Sequence, residues 1–273
     1  MTLAPIGVVR SPVRERKAFP SWGVPAQVEL FPEFEPALLR IEKHTHLWVI
    51  AWLDSAPDER SLLQVKPRGS REQGPEALHG VFAVRSPARP NPIGLTSARV
   101  LARDGLTLHF DRLDFLDGTK VIDLKPYFTS RDCIFSAHNE RLGGPVDNQA
   151  VREGLLIQAA QFLGTLTPDA ALAVRVIEHY RIAFHAGLEP LDWRIAAPLG
   201  RPEMVDALMG MTRISLGRRT LTLHAPDVVE IGHKVLYALK GYSGNILEAP
   251  EIDLFEYKQL SGEMQPRAGT TEL

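Results

Sequence analysis

Three of the seven residues from Ser86 to Pro92 are proline, inside a stretch, Gly80 to Leu95, that reads GVFAVRSPARPNPIGL. Each pyrrolidine ring fixes its own φ, removes a backbone donor and pushes the preceding residue toward extended backbone. Neither a helix nor a central strand can run through such a segment. Ordinary loops place one proline at a turn and fill the rest with Gly, Asn, Asp and Ser. Fixing the backbone at Pro87, Pro90 and Pro92 together implies a loop that must hold a shape, and Arg85 and Arg89 suggest an anionic occupant.

Short apolar runs surround this loop. Ile6 to Val9, Val28 to Phe31, Leu47 to Leu53, Val81 to Val84, Leu95 to Leu101, Leu106 to Phe110 and Val121 to Leu124 all read as strands. Polar and apolar residues alternate from Leu106 to Asp111, and Arg103-Asp104-Gly105 supplies a hairpin turn. In this half only Pro36 to Lys43 reads as a helix. Many short strands with few helices predict a mostly antiparallel barrel or sandwich rather than a doubly wound sheet.

Beyond about residue 145 the pattern becomes helical. Thr167-Pro168-Asp169 combines an N-cap, a first-position proline and an acid in the first turn. Leu172, Val176, Ile177, Tyr180 and Phe184 follow at helical spacing, with Gly187 placed to stop the helix. Val151 to Leu163 and Pro202 to Met211 predict further helices, and Arg219 to His224 and Lys234 to Leu239 strands. The expected division is an N-terminal barrel over residues 1–145 and a smaller α+β domain over 146–273, joined near GGPVDNQ, with Ser261 to Leu273 as a mobile tail.

Bulk properties narrow the class. The chain has 273 residues, 44% of them apolar and 23% charged, with a formal net charge of −2, so it is not dominated by non-specific attraction to nucleic acid. The single cysteine, Cys133, excludes an internal disulfide and any Cys-rich zinc or iron–sulfur site. The start lacks a charged and then apolar leader, and the longest apolar run, Leu47 to Leu53, is too short to span a bilayer. The expected location is the cytoplasm.

Local charge differs from the average. From Arg60 to Arg103 eight basic side chains, among them Arg68, Arg71, Arg85 and Arg89, face two acidic ones. Such a cluster is either a solvated face or a surface for phosphate or RNA. The stretch from Leu113 to Tyr127 (LDFLDGTKVIDLKPY) places Asp117 and Gly118 in a turn, followed by Thr119, Lys120 and a strand. A turn at a strand end can meet a ligand, or can simply connect strands. His44 and His46 would share one face of a strand but have no third ligand for a metal. Nucleophile elbows, P-loops and G-x-G-x-x-G are absent from the sequence, which argues against a Rossmann-type cofactor site but not against every nucleotide cofactor.

Gly80 to Leu95 resembles the loop of the TsaA-like family, also called YaeB or TrmO. IGVVRSP at Ile6 to Pro12, HLW at His46 to Trp48 and LDGTKVIDLKPY at Leu116 to Tyr127 are similar to the family's other segments, in the same order. The resemblance covers roughly residues 5–140. It implies a β-barrel RNA methyltransferase that uses S-adenosyl-L-methionine and acts on N6 of threonylcarbamoyladenosine at position 37 of the tRNA anticodon loop. It also implies a homodimer with the cofactor near the interface. The implied cofactor contacts are Trp22, Gly23, Asp54, Ser55, Arg85, Leu95, Asp117, Gly118, Thr119 and Lys120. Asp117, Tyr127 and Asn91 are the implied catalytic candidates, and Arg68, Arg71 and Arg89 the RNA contacts. Lys120 stands where the family commonly has proline. An alternative reading is a module that binds the cofactor or RNA without catalysis. Val205 to His224 resembles part of a formylmethanofuran dehydrogenase group, without the cysteines of its metal-binding members, which leaves a metal-related accessory role as a further alternative.

Overall fold

A computed structural model describes residues 2–20, 22–68, 70, 73–137, 147–184 and 193–260. The chain divides into two compact units, the first within residues 1–134 and the second mainly within 146–273. Gly187, residues 142–146 of the expected linker and the tail from Ser261 lie outside the described residues.

The first unit is a closed barrel of six antiparallel strands. In chain order its strands are β1 (Gly7–Arg10), β2 (Val24–Leu30) and β3 (His46–Trp52), then, after a two-residue pair β4 (Gln64–Val65) and β5 (His79–Gly80), β6 (Ile93–Asp104), β7 (Thr107–Leu113) and β8 (Lys120–Pro126). Around the barrel the order is β1-β2-β7-β6-β3-β8. Alternation fills it: Leu47, Val49 and Ala51 of β3 point inward with Val9, Val28, Leu108, Phe110 and Val121, while His46, Trp48, Ile50 and Trp52 stay partly exposed. The hairpin between β6 and β7 turns at Gly105, whose φ of 58° suits a residue without a Cβ.

β1 closes the barrel. It pairs with β2 over four residues and with β8 through Gly7↔Val121 and Val8↔Lys120. Backbone bonds from Ile6 to Val121, Val9 to Thr119 and Gly118 to Val9 extend that seam. On the β2 side, Gly7 permits the close approach, since a Cβ there would stand 2.4 Å from the Glu29 carbonyl oxygen.

Two expected elements differ. Pro36 to Lys43 is not one helix but the end of a 3₁₀ stretch, Pro32–Leu38, followed by a separate turn, Ile41–Lys43. Pro36 has no N–H to continue an α-helix, and Arg40 breaks the path at φ 67°. Val81 to Val84 is a turn rather than a strand: Ala83 N donates to Gly80 O at 2.8 Å, and Phe82 is 86% exposed. Its carbonyls do not join a ladder because Arg89 takes those of Val81 and Val84.

Short helical turns α1 (Pro57–Arg60) and α2 (Thr129–Asp132) belong to the first unit. The second unit packs α3 (Asn148–Leu163), α4 (Pro168–Phe184) and α5 (Pro202–Thr212) with a five-stranded sheet. Its strands are β9 (Ile195–Pro198), β10 (Leu221–His224), β11 (Val228–Ile231), β12 (Val235–Leu239) and, after the turn α6 (Glu251–Leu254), β13 (Phe255–Gln259), in the order β10-β9-β11-β12-β13. Asp147 caps α3 by accepting from Ala150 N at 2.8 Å, and the Thr167 hydroxyl does the same for α4 from Ala170 N at 3.3 Å. α4 is buried on every side from Ala170 to Tyr180. Arg175 within it donates to the carbonyls of Leu247 and Ala249, and Glu178 accepts from Arg152 at 2.7 Å.

Gly7→Ala should destabilise the barrel by about 1–3 kcal/mol, the usual range for overpacking. Urea unfolding checks this: a midpoint equal to wild type would show that the β1 seam has room to spare.

Candidate functional site

Antiparallel pairing all round the barrel gathers the ends of β1, β3 and β7 and the starts of β2, β6 and β8 at one rim. Trp22 and Gly23 precede β2, Asp54 and Ser55 follow β3, and Asn91 precedes β6, with Leu95 on its third residue. Asp117 to Thr119 lead into β8, and Lys120 begins it, paired to both Val8 and Trp52. The proline loop is tied to the same rim: Ser55 Oγ donates to Pro87 O at 2.9 Å, and Leu53 N donates to Pro92 O at 2.7 Å. Residues far apart in the chain thus converge.

The turn at Asp117 is held by its neighbours. Asp117 N donates to Val13 O at 2.8 Å, Gly118 N to Val9 O at 2.9 Å, and Ser11 N to Asp117 Oδ1 at 3.2 Å. Gly118 has φ 78°, and open space lies where its Cβ would point. Arg14, 82% exposed, approaches Asp117 Oδ2 to 3.6 Å. An open groove of about 590 Å³ starts at this turn and runs along the barrel wall, lined by Ser11, Arg14, Pro25, Gln27, His109 and Asp117 among others. Its volume suits a nucleotide-sized molecule. Gly23, at φ 79°, lets the backbone before β2 press against Leu113, and the Trp22 ring stands 37% exposed beside it.

Asp114, which sequence reasoning did not single out, stands at this rim, exposed at the end of β7. It follows β7 immediately, where Leu113 pairs with Val24, and its carboxyl is hydrogen-bonded by the Thr96 side chain. Crowding around the carboxyl pushes its pKa up, and its hydrogen bonds and the Arg85 guanidinium pull the other way. One signal was available: Asp114 stands between Leu113 and Phe115 at a strand end, three residues before Asp117.

Other candidates fall elsewhere. Tyr127 is at the far end of β8, whose seven residues at about 3.3 Å each put it roughly 20 Å from the Asp117 turn. It stacks there on Trp48, with ring centroids 5.6 Å apart, and burial raises its pKa. His46 packs at the same end, and His44 lies against Phe128. The basic segment is largely turned to structure. Arg89 donates to the carbonyls of Ser86, Val81 and Val84, Arg68 to Phe19 O at 2.7 Å, and Arg103 to Glu42 at 2.6 Å. Arg60 lies over the Trp52 ring. Arg71 is outside the described residues. Arg85 is exposed and makes no hydrogen bond or ion pair to the described residues. No cluster of three His, Cys, Asp or Glu side chains suited to a metal occurs among the described residues.

Residues 8–133 match the tRNA-methyltransferase O N-terminal domain. A probable S-adenosyl-L-methionine-binding protein of Archaeoglobus fulgidus is 43% identical over 180 residues, 64% of this chain and 46% of the relative. The chain therefore spans about half the length of that relative. A second protein of the same description, from Methanothermobacter thermautotrophicus, is 40% identical over 136 residues, 48% of this chain and 93% of the relative. The tRNA (adenine(37)-N6)-methyltransferase of Mus musculus is 34% identical over 113 residues, 41% of this chain and 25% of that protein.

The raised pKa of Asp114 has a consequence for stability. A carboxyl whose folded-state pKa lies above its unfolded value favours folding in acid, and that contribution is lost as pH rises through the folded-state pKa. Asp114→Asn should therefore raise the melting temperature at neutral pH, with the gain vanishing as pH falls below the ordinary carboxylate range near about 3.9. Thermal unfolding against pH checks this, and a variant less stable than wild type at neutral pH would contradict it.

Proposed function

Because the chain belongs to the family defined by the tRNA-methyltransferase O N-terminal domain, we propose that it is an S-adenosyl-L-methionine-dependent tRNA methyltransferase acting on N6 of threonylcarbamoyladenosine at position 37. The observation that carries this reading is the convergence of Trp22, Gly23, Asp54, Ser55, Asn91 and the Asp117–Lys120 turn at one barrel rim, beside an open groove of about 590 Å³.

The residues present fit the cofactor. It has a flat base, a ribose diol and a charged amino-acid tail, and the rim offers an exposed indole at Trp22, carboxylates at Asp114 and Asp117, and an unengaged guanidinium at Arg85. When bound, S-adenosyl-L-methionine supplies an electrophilic methyl group on a sulfonium sulfur. The protein contributes alignment and water exclusion rather than covalent chemistry. Asp117, fixed by Ser11 N, presents one carboxylate oxygen toward the groove for a ribose hydroxyl or for the proton leaving N6. Asn91, exposed at the rim, offers its amide to a base edge. Among the groove arginines Arg14 is the freer candidate for a phosphate, since Arg10 is paired to Glu29 at 2.7 Å and Arg68 and Arg89 donate to backbone carbonyls.

The reading includes a cytoplasmic location and a homodimer, and for the latter the exposed apolar side chains of Leu63 and Phe82 offer contact surface. No helix among the described residues is long and apolar enough to cross a membrane. A second reading, a binding protein without turnover, is favoured by the names of the two archaeal relatives.

Nucleoside mass spectrometry separates the two. The protein should add one methyl mass to threonylcarbamoyladenosine in tRNA, and Arg85→Ala should lower the rate at least tenfold, as expected from loss of one charge-assisted contact. Cofactor binding with no methylated nucleoside would overturn the enzyme reading in favour of the binding protein.

A further inference from the structure

Leu221, Ile195, Ile231 and Val235 stand side by side across four strands of the second unit, each at the end of its strand. The segments just beyond them share one rim of the sheet: Arg194 before β9, Arg213 to Thr220 between α5 and β10, and the Gly232-His233-Lys234 turn between β11 and β12. Arg194, Arg213, Arg218, Arg219 and Lys234 are set there against no acid among the described residues of these segments. Glu230, the penultimate residue of β11, is engaged by His233 at 2.6 Å. At the opposite rim the cations are neutralised: Arg201 holds Asp169 and Asp227 at 2.7 and 2.6 Å, and Lys240 holds Glu256 at 2.9 Å.

Backbone strain marks the basic rim. Arg213, Arg219 and His233 have φ of 59°, 55° and 56°, and they are three of the four non-glycine residues at positive φ among the described residues. Glycine or asparagine would adopt that backbone more easily. His233 follows Gly232, at φ 62°, in a tight hairpin turn closed by Lys234 N donating to Ile231 O at 3.0 Å, a place that suits Asn-Gly. The loop before β10 is cross-tied: Ser215 N donates to Thr220 Oγ1 at 2.9 Å, Arg219 N to Leu216 O at 2.9 Å and Leu221 N to Ser215 O at 3.2 Å. Arg218 is spent on the carbonyls of Arg213 and Phe135. The side chains of Arg213, Arg219 and Lys234 are exposed and make no hydrogen bond or ion pair to the described residues. Charge kept on strained, fixed backbone points to an anionic partner rather than to folding.

We propose that this rim of the second unit is a docking surface for the phosphate backbone of RNA. The proposal rests on the reading that the chain acts on tRNA, and it deepens that reading by giving the second unit a share in holding the substrate. On the barrel Arg68 and Arg89 are spent on carbonyls, whereas Arg213, Arg219 and Lys234 keep their donors. A guanidinium meets a phosphate with two parallel donors, and a lysine meets it as a point charge. From β10 to β12 the rim crosses three strand spacings, roughly 14 Å, enough for several successive phosphates. A lipid surface is less well matched, because Leu216 is the one exposed large apolar side chain these segments offer.

Fluorescence anisotropy with tRNA carrying threonylcarbamoyladenosine, run over a range of salt, tests the surface on the full chain. A triple variant, Arg213→Asn, Arg219→Asn and Lys234→Gln, removes three charges while giving the two left-handed positions a residue that accepts them. Its melting temperature should equal or exceed that of wild type. Its tRNA affinity should fall roughly tenfold or more, and the slope of affinity against salt should drop by about 2. A second variant, Arg213→Lys with Arg219→Lys, keeps the charge and should keep most of the affinity. Unchanged affinity and slope in the triple variant overturn the surface while the methyltransferase reading stands. So does equal weakening in the lysine variant, which would assign the arginines to structure. Loss of binding to phosphatidylglycerol vesicles with tRNA affinity intact overturns it in favour of a membrane. Binding of tRNA that depends on the rim, with no methylated nucleoside formed by wild type, supports the surface and overturns the methyltransferase reading.

Discussion

The barrel depends on a four-residue strand. β1 closes it by pairing with β2 on one side and β8 on the other, and its contact with β8 consists of two residue pairs extended by three backbone bonds. Without that seam β2 and β8 would both be open edges, a state that sheets avoid. The same closure builds the site. It draws Ser11 and Val13, just beyond β1, against the Asp117 turn just before β8. On the other side of β1, Gly7 lets β2 come close, because no side chain could stand so near the Glu29 carbonyl.

Charge at the rim is ordered by backbone carbonyls. A segment rich in arginine invites a reading as an RNA surface, but the carbonyls of a proline-rich loop have lost their usual donors and must find others. Arg89 satisfies three of them, and Arg68 satisfies Phe19. Arginine suits that task because its planar fork presents several donors at once. The outcome is selective: of the two arginines within the loop, Arg89 is spent on carbonyls and Arg85 is exposed.

Much of the barrel was legible in the sequence because alternation and turn residues act locally. Leu106 to Asp111 and the Gly105 turn fell where expected, as did the capped start of α4 at Thr167. Val81 to Val84 misled because its apolar residues look like a strand, while its hydrogen bonds are decided by Arg89 several residues later. Strands β9, β11 and β13 gave only weak local signals, and their pairing depends on contacts between distant segments. In the site, residues tied to the turn and loop motifs came together, whereas Tyr127 did not, since one strand length separates it from Asp117. Asp114 escaped because a carboxylate after a strand is common, and only the pairing of distant strands brings the Thr96 side chain to its carboxyl and Gly23 against its backbone.

The second unit is organised by a different constraint. α4 is buried all round and carries Arg175, Glu178 and His179, whose partners come from α3, β12 and the segment before α6. That arrangement accounts for its packing. The claim on which the rest turns is the place of the cofactor, and a crystal structure with S-adenosylhomocysteine tests it most directly. The account predicts the ligand at the rim bounded by Trp22, Ser55 and the Asp117–Lys120 turn. Ligand at the opposite rim beside His46 and Tyr127, or within the second unit, would contradict it.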